Sequence, residues 1–175
     1  RPDGWTPPAA KSTMITTKHV HLRDAHKTKQ FWLIWAVLCL NVSAGIGVLG
    51  MASPMLQEIF AGSLIGLPDV GFAQLDAGQK ASIATIAAGF AGLLSLFNIG
   101  GRFFWASLSD KIGRKNTYYC FFIIGIALYA LAPSLAGMGN KALFVLAFGV
   151  ILSMYGGGFS TIPAYLADIF GTQFV

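Results

Sequence analysis

Charge is what this sequence has least of. Its 175 residues include 12 Lys or Arg and 7 Asp or Glu, so charged residues make up 11% while hydrophobic residues make up 55%. An ordinary soluble domain carries about 25% charged residues, and a chain of this size needs a polar skin as well as a core. The shortage excludes a typical soluble globular enzyme, and the apolar excess excludes a disordered chain. Cysteine is scarce as well. Cys39 and Cys120 both sit inside apolar runs, read as small buried hydrophobes, and exclude a disulfide scaffold. No nucleophile triad, phosphate loop or paired carboxylates occur. Gly156-Gly157-Gly158 follows no strand pattern. No catalytic residue and no cofactor is therefore expected. His19, His21 and His26 have no Cys nearby and no ligand spacing, so a solvated loop is expected there rather than a metal site. The net charge of +5 could suggest nucleic acid, but the basic residues flank apolar runs and no nucleic-acid partner is expected.

What the chain does have is four long apolar stretches, at 31–57, 81–109, 116–136 and 142–167. Each is long enough to cross a hydrocarbon core of about 30 Å as a helix, and a helix is the open-chain form that satisfies its own backbone in lipid. Buried helices of a large soluble protein would need amphipathic partners, which this chain lacks. The expected fold class is an all-α membrane protein with four transmembrane helices, and its first partner is the lipid bilayer. Residues 1–30 are polar. They open as a loop with Pro2, Gly4, Pro7 and Pro8 and lead into a short juxtamembrane helix over 21–30. They carry Arg1, Lys11, Lys18, Arg23, Lys27 and Lys29, half of all the basic residues. The next connection holds Glu58, Asp69 and Asp76 against Lys80, and the third reads Asp110-Lys111-Ile112-Gly113-Arg114-Lys115. The positive-inside rule then places both ends and the 110–115 turn in the cytoplasm of a cell-membrane protein, with 58–80 as an outer loop. The chain begins without Met and stops abruptly after a Gly-Thr turn, so it is expected to be a piece of a larger membrane protein.

Arg102 stands inside the second stretch, where a charge costs at least about 2.5 kcal/mol on insertion scales. Ala91, Ser95, Asn98, Trp105 and Ser109 share its stripe at helical spacing, as on a helix lining a hydrophilic pathway. Two readings are open. Arg102 faces a cavity, or it snorkels toward headgroups beside Asp110, about 12 Å along the axis. Facing a cavity, a guanidinium fork suits a carboxylate, through two parallel charge-assisted hydrogen bonds. The turn after this helix combines Gly113 for a tight bend with Asp110, Lys111, Arg114 and Lys115. It serves as a topology signal, or Asp110 pairs with a basic side chain.

Small residues crowd the first and fourth stretches: Ser43, Gly45, Gly47, Gly50, and Gly156-Gly157-Gly158. They permit close helix packing or, with Pro54 and Pro163, kinks and broken helices. Three consecutive glycines weaken any helix. Tyr155 and Phe159, four apart, form an aromatic wall above an anion or face lipid. Asn41 and Asn98 are amides that need partners, either another helix or a ligand. Asp168 ends the fourth stretch and is expected to face the cytoplasm.

The run from Ala106 to Lys115 resembles the signature loop of the major facilitator superfamily. Asp110, Lys111, Gly113, Arg114 and Lys115 match it, while Ala106 replaces its leading Gly. Further segments resemble the oxalate:formate antiporter family within it: Phe31-Trp32-Leu33-Ile34-Trp35, Leu40 through Gly47, Ala52-Ser53-Pro54, Phe97 through Arg102, and Gly156 through Asp168. The resemblance implies the central cytoplasmic loop plus helices seven to ten of twelve, part of the C-terminal half of that fold, with the other helices missing from this chain. It implies transport of a small mono- or dicarboxylate by alternating access. Arg102 matches the arginine that holds the anion in the family's oxalate transporter. Asn98, by its place on the Arg102 stripe, and Tyr155 and Phe159, by their spacing, are the further candidate substrate contacts. The signature-loop residues and Asp168 would form a cytoplasmic gate. The alternative is a transporter-like sensor or assembly subunit that binds a carboxylate without moving it.

Overall fold

The computed structural model describes residue 16 and residues 19–172. The leading loop expected over residues 1–15 lies outside the described residues. Four long helices dominate: α2 (Lys29–Phe60), α3 (Ala77–Ile112), α4 (Arg114–Gly137) and α5 (Lys141–Phe170). They contain 32, 36, 24 and 30 residues. At 1.5 Å per residue each exceeds the roughly 30 Å of a hydrocarbon core. All four are apolar enough to span a membrane. The juxtamembrane helix is shorter than expected. α1 is one turn, Leu22–Ala25, because Thr28 starts a new helix. Its Oγ1 accepts from Phe31 N at 3.3 Å and caps α2.

Local chemistry sets the other boundaries. Asp76 caps α3 through its carboxylate on Gln79 N at 2.7 Å, and Gln79 Oε1 accepts from Asp76 N at 3.0 Å, a reciprocal capping box. Asn140 Oδ1 accepts from Leu143 N at 3.1 Å and caps α5. Gly113 alone separates α3 from α4, and its φ of 89° is a region closed to most side chains. The expected outer loop begins later than residue 58, since α2 runs to Phe60. It then folds into two 3₁₀ turns, Ala61–Ile65 and Phe72–Gln74.

α5 is the central helix, packed against α2, α3 and α4. α3 and α5 run parallel. Phe97 meets Gly149, Gly101 meets Ser153, and Trp105 meets Gly157 at a constant offset. α2 runs antiparallel to α5, with Gly45 against Tyr155 and Asn41 against Gly158. The core joins Val48, Ala52 and Leu56 of α2, Ala87 and Leu94 of α3, and Phe144, Phe148 and Leu152 of α5.

The triple glycine does not break α5, which is continuous through it. Each of the three glycines is a contact point. A Cβ on Gly156 would strike the Asn98 carbonyl, one on Gly157 would lie 2.6 Å from Trp105 Cβ, and one on Gly158 would strike the Asn41 amide. Helix packing thus holds a segment that propensity alone would loosen. Cys39 is also unlike its expected state, being exposed on α2.

Candidate functional site

Arg102 lies ten residues before the end of α3, about 15 Å along the axis. Its side chain is exposed, with no hydrogen bond or ion pair among the described residues. Its backbone is fixed. The Ser160 hydroxyl of α5 stands 3.0 Å from both the Arg102 and the Gly157 carbonyls and shares its proton between them. One turn earlier, Asn98 packs its main chain on Gly156 and remains half-buried. Arg102 and Asn98 therefore occupy one edge of the α3–α5 seam.

On α5 the matching edge is Gly156 and Ser160. Phe159 follows Gly156 by three residues and Tyr155 by four, so it stands between the α3-facing and α2-facing sides of the helix. It is exposed there, on the same open side of the seam as Arg102. Tyr155 turns away. Its ring lies against Gly45 and meets Phe159 edge-on at 5.3 Å. It lines a cavity of about 480 Å³ between α2, α4 and α5, with Asn41, Phe121, Gly125 and Tyr129. The structure thus gathers Arg102, Asn98 and Phe159 on one open face and uses Tyr155 as the prop behind Phe159.

The stripe expected along α3 divides. Ser95 and Arg102 are exposed, while Trp105 and Ser109 are buried in the bundle. Trp105 Nε1 donates to Ser153 Oγ at 3.2 Å. Ser109 Oγ accepts from Arg114.

A second constellation forms where α3 ends. Arg114 pairs with Asp110 at 2.5 Å, and its Nε stands 3.4 Å from Asp168 Oδ2. The latter is an ion pair without an aligned hydrogen bond. The Arg114 and Asp168 side chains are only 12% and 13% exposed, so solvent screens this pair weakly. Lys111 and Lys115 stay outside it. Lys111 is exposed, and Lys115 lies over the Tyr119 ring at 5.5 Å. The chain before α1 is bound to the same corner. Thr16 N donates to the Asp168 carbonyl at 3.1 Å, and Val20 N donates to the Phe170 carbonyl at 3.0 Å. These contacts satisfy acceptors in the last turn of α5 that the helix leaves unpaired.

Two anchors were not visible in the sequence. The Tyr118 hydroxyl donates to the Gly158 carbonyl at 2.8 Å from within the core, and Ser160 joins α5 to the Arg102 main chain. Neither has a local signal, since both bond to residues more than thirty positions away.

Residues 1–174 match the Major Facilitator Superfamily. The chain belongs to this superfamily. Among curated relatives it is 31% identical to the oxalate:formate antiporter of Oxalobacter formigenes over 166 residues, which is 95% of this chain and 34% of that protein. It is 24% identical to the uncharacterized MFS-type transporter YhjX of Escherichia coli (strain K12) over 162 residues, 91% of this chain and 34% of that protein. The chain therefore spans about a third of the length of these relatives. No solved structure matches it significantly. As a major facilitator superfamily chain it is a multi-pass membrane protein, and its four apolar helices are part of that fold. Both relatives are named as transporters rather than enzymes.

Proposed function

We propose that this major facilitator superfamily chain supplies helices seven to ten of a twelve-helix carrier. The carrier moves small organic anions, mono- or dicarboxylates of the oxalate and formate kind, across the cell membrane by alternating access. The observation that carries this reading is Arg102. It is a permanently charged side chain in a membrane-spanning helix, exposed and without a partner among the described residues. A guanidinium costs free energy in such a place unless an anion offsets it. Its fork fits a carboxylate through two parallel hydrogen bonds. Asn98 beside it offers an amide, and Phe159 across the seam offers an apolar wall. The similarity to the oxalate:formate antiporter runs over the same residues and supports the substrate class. The remaining helices of the parent protein would close the other side of the face.

The α1 end of the bundle faces the cytoplasm in this reading, by its excess of Lys and Arg. There Asp110, Arg114 and Asp168 tie the start of α4 to the end of α5 as part of a gate, flanked by Lys111, Gly113 and Lys115. The test is uptake by the full-length protein in proteoliposomes. Arg102→Gln abolishes carboxylate uptake while expression holds, and Arg102→Lys, which keeps the charge but not the fork, recovers only part of it. Unchanged substrate affinity in Arg102→Gln overturns the assignment.

A further inference from the structure

α3 carries a second surface, on the side turned away from Arg102. Gly100, Phe104, Ser107 and Lys111 follow one another at steps of four, three and four and so form one stripe. Two open hollows run along this stripe and meet at Phe104. The one further from the turn is about 450 Å³, lined by Leu93, Leu96, Phe97, Gly100 and Phe104 with Ser153 of α5. The other is about 410 Å³, lined by Phe103, Phe104, Ser107, Leu108 and Lys111. The walls are apolar apart from Ser107 and Ser153, and the groove ends at the Lys111 ammonium. Phe103 and Phe104 are among the most exposed aromatics of the molecule. At Gly100 a Cβ would meet nothing within 4 Å, so the groove is shallow and unobstructed there.

The lengths and charges fit one kind of occupant. Gly100 to Lys111 spans about 16 Å along the helix, close to the depth of one leaflet, half of a hydrocarbon core of about 30 Å. Lys111 has no hydrogen bond or ion pair among the described residues. Lys115, just past the Gly113 turn, contacts only the Tyr119 ring. The two carboxylates of this corner, Asp110 and Asp168, are both engaged by Arg114. One free ammonium, Lys111, therefore ends a mainly apolar groove about one leaflet long, and Lys115 adds a second charge just past the turn, over the Tyr119 ring.

We infer that this face holds an anionic phospholipid. One acyl chain lies along Ser107, Phe104 and Gly100, and the headgroup phosphate sits on Lys111 and Lys115. A zwitterionic lipid offers the same chain but no net charge, so the two lysines give preference rather than mere wetting. Each lysine near an anionic headgroup is worth about a five-fold change in binding. The site lies opposite Arg102 and is independent of the carboxylate reading.

The test is native mass spectrometry of the full chain in detergent, titrated with phosphatidylglycerol, phosphatidylcholine or free glycerol phosphate. The chain is expected to retain phosphatidylglycerol over phosphatidylcholine, and glycerol phosphate is expected to bind far more weakly than the lipid. Lys111→Gln and Lys115→Gln each lower that preference about five-fold. Lys111→Arg keeps it, which separates loss of charge from loss of fold, and Lys80→Gln at the other end leaves it unchanged. Gly100→Trp, which fills the groove, weakens both lipids alike. An unchanged preference in the Lys111→Gln, Lys115→Gln double variant overturns the site. So does glycerol phosphate competing as well as the lipid. So does a Phe104→Cys variant that cross-links to another helix in the membrane, since the groove is then covered by protein.

Discussion

At the scale of single residues, the glycines separate into two kinds. A Cβ at Gly156 would strike the Asn98 carbonyl, a backbone atom that cannot rotate away, whereas one at Gly100 would meet nothing within 4 Å. Gly156→Ala is expected to cost about 1–3 kcal/mol through overpacking. Gly100→Ala is expected to be neutral or stabilising by up to about 1 kcal/mol through helix propensity. Thermal unfolding in detergent distinguishes them. Asp24 offers a pH-dependent contact. The hydrogen bond from Lys27 at 2.8 Å, and then the Lys27 charge, hold its carboxyl below the ordinary aspartate range. A group lowered in this way contributes above its unfolded value and stops contributing as pH falls through the lowered one. A carboxyl NMR titration should therefore find Asp24 still ionised where a free aspartate is half protonated, and Lys27→Gln should return it to the ordinary range. The sequence left close packing and a broken helix both open for these glycines, and the structure selects packing. Whether a missing Cβ is a weak point or a contact depends on what lies across the seam, and Asn98, Trp105 and Asn41 are far away in the chain.

At the scale of elements, the spans were readable because uncharged runs of that length have little else to be. Their true ends lay a few residues further out, at Thr28 and Asp76, because polar caps extend a helix beyond its apolar core. Helical spacing gave the faces of α3 but not their neighbours. Arg102 and Trp105 share a stripe in sequence, yet α5 covers one and leaves the other open. Tyr155 and Phe159 divide for the same reason, since α2 crosses α5 at Gly45 and reaches only the first. The Asp110–Arg114–Asp168 group was readable on the loop side, while the pairing with Asp168 needed the fold. Its two arms differ in exposure, with Asp110 at 66% and Asp168 at 13%. Asp168→Asn is expected to cost about 3 kcal/mol, as removal of one partner from a largely buried pair does. Asp110→Asn should cost under about 1 kcal/mol. Equal unfolding shifts for the two variants would contradict this ordering.

At the scale of the whole molecule, the apolar surface is the dominant fact. Trp32, Leu33, Leu96, Phe103, Ile123 and Ile126 are all exposed, a surface suited to lipid or to further helices rather than water. The orientation proposed from charge has a direct check. With Cys39 and Cys120 replaced by Ala, Lys29→Cys and Lys111→Cys should react with an impermeant maleimide from one side of the membrane and Asp69→Cys from the other. Labelling of all three from one side would overturn the four-span topology. The seam between α3 and α5 has a consequence for how such a protein diversifies. The two helices touch through main chain at Gly101 and Gly156, so the gap across which Arg102 and Phe159 face outward is fixed by backbone thickness, not by side-chain volume. Residues 98 and 159 are then free to be exchanged over generations without altering that gap, so a descendant can acquire a different ligand while keeping the same spacing.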